Sequence, residues 1–150
     1  SPSLSASVSP SPSLGYEEYT RGTNGSLPGN DTNLATNYTT QDYTDVDTDD
    51  ATRVGQSGSS TYMMHLFKDF VGGNPSCNLT WNGQSTLAPS SATVVLQIYN
   101  QNATTWEVVD SNNSANANTD FTLSGNIPSL TNYKTAGNLI SCRIYQNNGA

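Results

Sequence analysis

Apolar and polar residues alternate strictly at the start of the chain. The segment SPSLSASVSPSPSL carries Ser at each odd position, with Pro2, Leu4, Ala6, Val8, Pro10, Pro12 and Leu14 at the even ones. A period of two belongs to an extended strand with one apolar and one hydroxyl face. Proline donates no ladder hydrogen bond, so its three copies restrict this strand to a sheet edge or a polyproline-like path. Such a segment cannot bury enough surface to offset its own chain entropy, and to be ordered it must lie on a folded body. One reading is a donor strand that lays Leu4, Ala6 and Val8 into a groove on a neighbouring subunit. The other is a Ser/Pro-rich linker carrying O-linked sugars, or a strand folded back on its own domain.

Residues 15–60 are polar and rich in turn formers, punctuated by Tyr16, Tyr19, Tyr38 and Tyr43. No helical period is evident there, and short strands are expected near 16–20, 43–47 and 51–54. Beyond Gly55 the pattern turns apolar. TYMMHLFKDF (61–70) predicts a strand with Tyr62, Met64, Leu66 and Phe70 on its inner side. Cys77–Trp81 predicts another, with Cys77, Leu79 and Trp81 inward, closed by a tight turn at Asn82-Gly83. TVVLQIY (93–99) and TWEVVD (105–110) read as a hairpin, with Val94, Leu96, Ile98, Trp106 and Val108 inward. A short strand at 120–123, a turn of helix near 129–134 and a last strand LISCRIY (139–145), with Ile140, Cys142 and Ile144 inward, complete the reading. The expected fold is all-β, a jelly-roll-like β-sandwich with an extended N-terminal Ser/Pro strand; residues 1–14 form the linker or donor strand and 15–150 the sandwich domain.

Composition narrows the setting. Of the 150 residues only 33% are hydrophobic and 11% charged, and the net charge is −7. Neutral hydroxyls and amides replace the usual charges on the surface, as is common in extracellular β proteins. The negative balance argues against nucleic acid, which needs clustered Lys and Arg. No run approaches the ~18 apolar residues of a membrane span, so no membrane insertion is expected. With neither an initiator Met nor a signal peptide, residue 1 reads as a processed end or an internal point of a longer precursor. Six N-x-S/T sequons, at Asn24, Asn30, Asn37, Asn78, Asn102 and Asn112, point toward secretion and N-glycosylation, although an Asn- and Thr-rich chain also generates sequons by chance. Cys77 and Cys142 both fall on expected core faces, and in an oxidising compartment a bridge between them is expected.

Candidate chemistry is sparse. His65 is the only histidine, sits mid-strand and reads as structural. No nucleophile-elbow sequence accompanies it, and Glu17, Glu18 and Glu107 fall in no recognisable glycosidase pair, so no enzyme is expected. Asp45, Asp47 and Asp49 have the D-x-D-x-D spacing that presents oxygens to calcium, but the run lacks the Gly and distant Glu of an EF-hand. A bare acidic edge, which discourages stray strand pairing, is the other reading. No further cofactor is expected. Trp81, Trp106 and the tyrosines admit an aromatic platform for sugars, although core packing also accounts for the two tryptophans.

Several segments carry a resemblance: the Ser/Pro tract running into GYEEYTRG, the step Asp50, Arg53, Val54, Gln56, then YMMHLFKDF, L-x-W-x-G-Q, LQIYNQNATTWEVVD and LISCRIYQ. Together they resemble the β-domain found beside long Ser/Pro tracts in surface proteins of uncultured environmental bacteria. The hairpin is similar, more loosely, to those of galactose-binding-like jelly rolls. The first resemblance implies an extracellular appendage or adhesin. With the donor-strand reading, the expectation is a glycosylated cell-surface filament, a helical homopolymer whose partners are copies of itself. The alternative is a carbohydrate-binding module on a Ser/Pro stalk.

Overall fold

The computed structural model describes residues 3–6, 17–47 and 52–149. Among these residues ten strands and one short helix follow in the order β1 (Ser3–Ala6), β2 (Glu17–Asn24), β3 (Thr36–Asn37), α1 (Thr40–Val46), β4 (Val54–Ser57), β5 (Tyr62–Phe70), β6 (Cys77–Ser85), β7 (Val94–Asn100), β8 (Thr105–Asn112), β9 (Phe121–Ile127) and β10 (Leu139–Asn147). They form an all-β sandwich of two antiparallel sheets, ordered β4-β1-β6-β9 and β3-β2-β5-β10-β7-β8.

The winding is that of a jelly roll. Taken in chain order, β4 to β10 supply seven strands that switch between the sheets, giving β4, β6 and β9 on one side and β5, β10, β7 and β8 on the other. In an eight-stranded jelly roll the place between the first and third strands falls to the eighth. Here β1, from the opposite end of the chain, occupies it.

Leu79, Trp81, Leu123 and Ile127 from one sheet pack on Met63, Phe67, Leu96, Ile98, Ile140 and Ile144 from the other. β7 is buried at every position, which suits its β-branched run Val94-Val95 and Ile98 between β10 and β8 of the wider sheet. At the open flank of the sandwich β8 bulges opposite Leu96/Gln97, and Val109 fills the space over Gly125 of β9, where a side chain would collide with it.

Several expectations are corrected. β5 is buried on both faces, and its inward set is Met63, His65, Phe67 and Asp69, with Met64 and Leu66 turned outward under the loop 25–35. Asn82-Gly83 is not a turn, because β6 runs through it, paired with β1 on one side and β9 on the other. Residues 40–46 are helical, not a strand. The Thr39 hydroxyl caps the Asp42 N–H while the Asp42 carboxylate takes the Thr39 N–H, and Val46 is buried against the core. Val108 points to solvent at 63% exposure, and the β8 bulge gives the core Val109 in its place. The expected turn near 129–134 is present, with Leu130 O accepting from Tyr133 and Lys134.

The expected Cys77–Cys142 bridge is not formed. Both thiols are free, Cys77 half-buried at the start of β6 and Cys142 buried in the middle of β10. Burial pushes the Cys142 thiol well above its ordinary range, with the nearby Asp69 and Cys77 adding to the effect, and raises Cys77 less. Iodoacetamide is therefore expected to modify Cys77 first and Cys142 only on global unfolding, because the thiolate is the reactive form. Equal labelling rates followed by mass spectrometry would show that this part of the core opens independently.

Candidate functional site

The place that β1 fills is the most specific feature of the sandwich. Ser3, Leu4, Ser5 and Ala6 lie opposite Ser57, Gln56, Gly55 and Val54 of β4, while Leu4, Ser5 and Ala6 lie opposite Ser85, Gln84 and Gly83 of β6. Both neighbours are antiparallel to β1, so the strand is laddered on its two sides. Leu4 is fully buried in the hydrophobic core.

A polar contact crosses the sandwich to meet it. His65, on β5 of the facing sheet, is fully buried, with Nε2 2.8 Å from the Leu4 carbonyl and Nδ1 2.6 Å from the Tyr38 hydroxyl. A carbonyl can only accept, so Nε2 carries the proton and Nδ1 accepts from Tyr38. Burial, reinforced by Arg21, lowers the imidazole pKa to about 4, against the opposing pull of the Leu4 bond and Asp42. Tyr38 is held protonated by burial, its pKa well above the usual range. Edge-on rings pack around this pair: Tyr19 on Tyr38 at 5.6 Å, Tyr38 on His65 at 5.9 Å and Tyr19 on Phe67 at 4.9 Å.

The walls of the place are tied as well. Arg21 of β2 donates to the Gln56 side chain of β4 at 3.1 Å. Arg53 forks onto both Asp120 oxygens at 2.6 Å, joining the two edges of the four-stranded sheet near the row Val54, Ala6, Gly83, Phe121. At the other end the Ser85 hydroxyl donates to Gln146, whose amide reaches Leu87 O and Ala92 O. Close by in the core lies Asp69, buried, with Oδ1 accepting from the Tyr19 hydroxyl at 2.6 Å and Oδ2 without a partner among the described residues. Burial raises this carboxyl to about 7, with Glu17 contributing and Tyr19 opposing.

A second surface lies on the outer face of the six-stranded sheet. The loop 25–35 covers half of it. Arg143 there sits 4.2 Å over the Trp106 ring and donates to the Gln97 side chain and Pro28 O, while the Trp106 indole donates to Asn30 O. Burial lowers the Arg143 guanidinium to about 10. The other half is an open groove of ≈ 580 Å³ floored by Tyr62, Val95 and Tyr145.

The residues singled out in the sequence distribute as follows. Leu4 docks within its own chain, and Ala6 is in the same ladder; Val8 lies outside the described residues. Asp45 is on α1, bonded to Gln41, Asp47 ends that helix, and Asp49 lies outside the described residues. Among the described residues no three His, Cys, Asp or Glu side chains converge as metal ligands. Asn24, Asn30, Asn37, Asn78 and Asn102 are exposed, while Asn112 is half-buried and accepts from the Ser114 and Ala115 amides. Trp81 is fully buried in the core, which removes it from any sugar platform; Trp106 is outside, half-covered by the loop. In the sequence Tyr38 reads only as one of the tyrosines of a polar tract and Gln56 only as part of a resemblance, and nothing marks Asp69. A lone His in an apolar strand was the one available signal that a buried polar partner had to exist.

A protein-family model matches residues 15–149. The chain belongs to the AF_1625_C family. That family is described as an uncharacterized protein, C-terminal domain. The AF_1625_C span holds β2 to β10, so β1 lies outside it while filling a place within its sheet. No curated protein and no solved structure matches the chain.

Proposed function

We propose that this chain is the structural subunit of an extracellular, glycosylated filament or surface appendage, in which the N-terminal strand of one copy completes the sandwich of the next. The observation that carries this reading is the place between β4 and β6. The family span builds every strand around it, and β1, from outside that span, fills it. The strand is joined to β2 by residues 7–16, which extended reach ~33–36 Å, about the width of a domain this size. The same ladder and the same Leu4 pocket therefore serve a strand from a neighbour as well as the chain's own. Main-chain bonds give affinity in such strand addition, and a buried alternate side chain sets the register. A contact of this type is heterologous and propagates as an open fibre. The hydroxyl- and amide-rich surface and the exposed sequons support an extracellular setting.

The test removes residues 1–14 and supplies them as a free peptide. Full-length chains are expected to form fibres in negative stain. The truncated body is expected to form none, and to bind the peptide one to one with a rise in Tm. Full-length chains that stay monomeric at every concentration would overturn the proposal.

A further inference from the structure

We propose that the outer groove is the seat of an uncharged N-linked glycan carried by Asn24. The inference rests on the glycosylated-surface part of the reading above, and it begins from register. Asn24 of β2 lies directly opposite Tyr62 of β5, and Tyr62 directly opposite Asn147 of β10, so the three form one row across the sheet. Directly opposed residues project from the same face. That face is the outer one, because Tyr19 of β2, Met63 of β5 and Ile144 of β10 are the core-facing neighbours in the alternation.

The groove has the chemistry of a sugar site. Its floor pairs Tyr62 with Tyr145, ring centroids 5.8 Å apart at 65°, beside Val95. Ser91 and Thr93 bring hydroxyls to one wall, Asn147 an amide to the rim, and none of the described lining residues is charged. Two half-buried phenol rings give an apolar surface for the C–H face of a pyranose, with hydroxyls around it to bond the ring's edge. A volume of ≈ 580 Å³ falls inside the ~300–1,000 Å³ range of small-ligand sites. The loop that leaves Asn24 folds back over the adjacent half of the sheet, where Leu34 and Ala35 close on Gly22. A chain attached at Asn24 is thereby walled off from that side and directed along the tyrosines.

Of the other sequons, Asn78 lines an open hollow of ≈ 420 Å³ with Leu79, Thr80, Ser124, Gly125 and Asn126, a lining without an aromatic ring among the described residues. Asn30 is folded into a bond with its own loop at Thr32, Asn78 accepts from Asn126, and Asn112 caps two amides. Asn24 is exposed, followed by the exposed Gly25 and Ser26 that complete its sequon. Attachment is an ordinary transfer. The Asn24 amide nitrogen bonds to the anomeric carbon of a sugar activated as a lipid diphosphate. The carbon–oxygen bond to the diphosphate breaks, the lipid diphosphate leaves with the bonding electrons, and the amide loses a proton to the transferase.

The experiment secretes the full chain from an N-glycosylating host, maps its glycopeptides, and measures Tm before and after enzymatic deglycosylation. Asn24 is expected to be occupied, and deglycosylation to lower Tm by about 2–4 °C. Asn24→Gln is expected to show the same loss and no further response to deglycosylation at this site. Tyr62→Ala is expected to lower Tm in the glycosylated wild type but much less in the Asn24→Gln background; Tyr62→Phe, which keeps the ring, retains the coupling and controls for misfolding. Asn24 bare while other sequons are occupied would overturn this proposal alone. All six bare would overturn the glycosylated-surface reading with it. An occupied Asn24 whose sugar leaves Tm unchanged, or a groove that binds free chitobiose equally in wild type and Asn24→Gln, would also overturn it, the last by making the groove a site for external sugars.

Discussion

Replacing Leu4 by alanine is expected to lower the unfolding free energy by about 2–5 kcal/mol, the range for truncating a fully buried leucine. The side chain has no exposure and sits in the same cluster as Trp81 and Phe67. The surrounding walls are held by the Arg21–Gln56 and Arg53–Asp120 contacts, so collapse around the lost methyl groups is resisted. Urea unfolding reads the effect directly. A linker that merely rests on the surface predicts a change within ~0.5 kcal/mol, as for surface substitutions generally. In the proposed filament the same pocket would receive a neighbour's Leu4. There a loss of ~3 kcal/mol raises the concentration needed for assembly by about a hundredfold. A variant that unfolds normally yet assembles normally would contradict both the buried strand and its exchange.

The second large effect is in the pH dependence, where two buried groups oppose each other. His65 is lowered from 6.5 to about 4 in the folded chain. The unfolded state therefore binds more protons between these values, and the His65 contribution is fully present above pH 6.5 and lost as pH falls through 4. Asp69 is raised from 3.8 to about 7. Its folded state binds more protons in that window, so its contribution is fully present below pH 3.8 and lost as pH rises through 7. Between pH 4 and 6.5 the two slopes cancel. Substitution uncovers each one. The stability of Asp69→Asn is expected to rise by about 3 kcal/mol between pH 4 and 7, with His65 left uncompensated. His65→Gln is expected to lose about 4 kcal/mol over the same interval, with Asp69 left alone. Parallel stability–pH curves for the two variants and the wild type would contradict the burial of both groups.

Much of the sandwich is legible in local pattern. The alternation around Leu4, the hairpin TVVLQIY/TWEVVD and the run LISCRIYQ each become strands, and Ile140, Cys142 and Ile144 face inward as their spacing implies. The misread places share one cause, a segment whose two faces are chemically alike or whose decisive partner is distant. In YMMHLFKDF, Met63 and Met64, or Leu66 and Phe67, offer apolar residues on either side, so alternation alone does not choose the core face. What chooses is the loop 25–35, which covers the outward set. Asn82-Gly83 has turn chemistry, yet two flanking strands hold it extended. Helix α1 is short, and only the spacing of Thr39 and Asp42 announced it. The candidate site is legible as a strand that needs a groove. The groove itself is made by β4 and β6, neither adjacent to it in sequence, and by His65 from the facing sheet. Whether that strand comes from the same chain or a neighbour leaves no mark on the pattern, since every copy carries the same strand and the same place for it.

The order of the strands also sets a schedule. β1 is synthesised before the other described strands, and its place is not complete until Ser85 has been added to β6. At ~5–20 residues per second that delay is on the order of ten seconds. For that time the first segment has no seat in its own molecule, and afterwards the newly built seat is open to whichever strand arrives first. Under the proposed exchange, the outcome is a race between a tethered strand and a diffusing one. Dilution then favours closure within one chain, and crowding favours docking on the next.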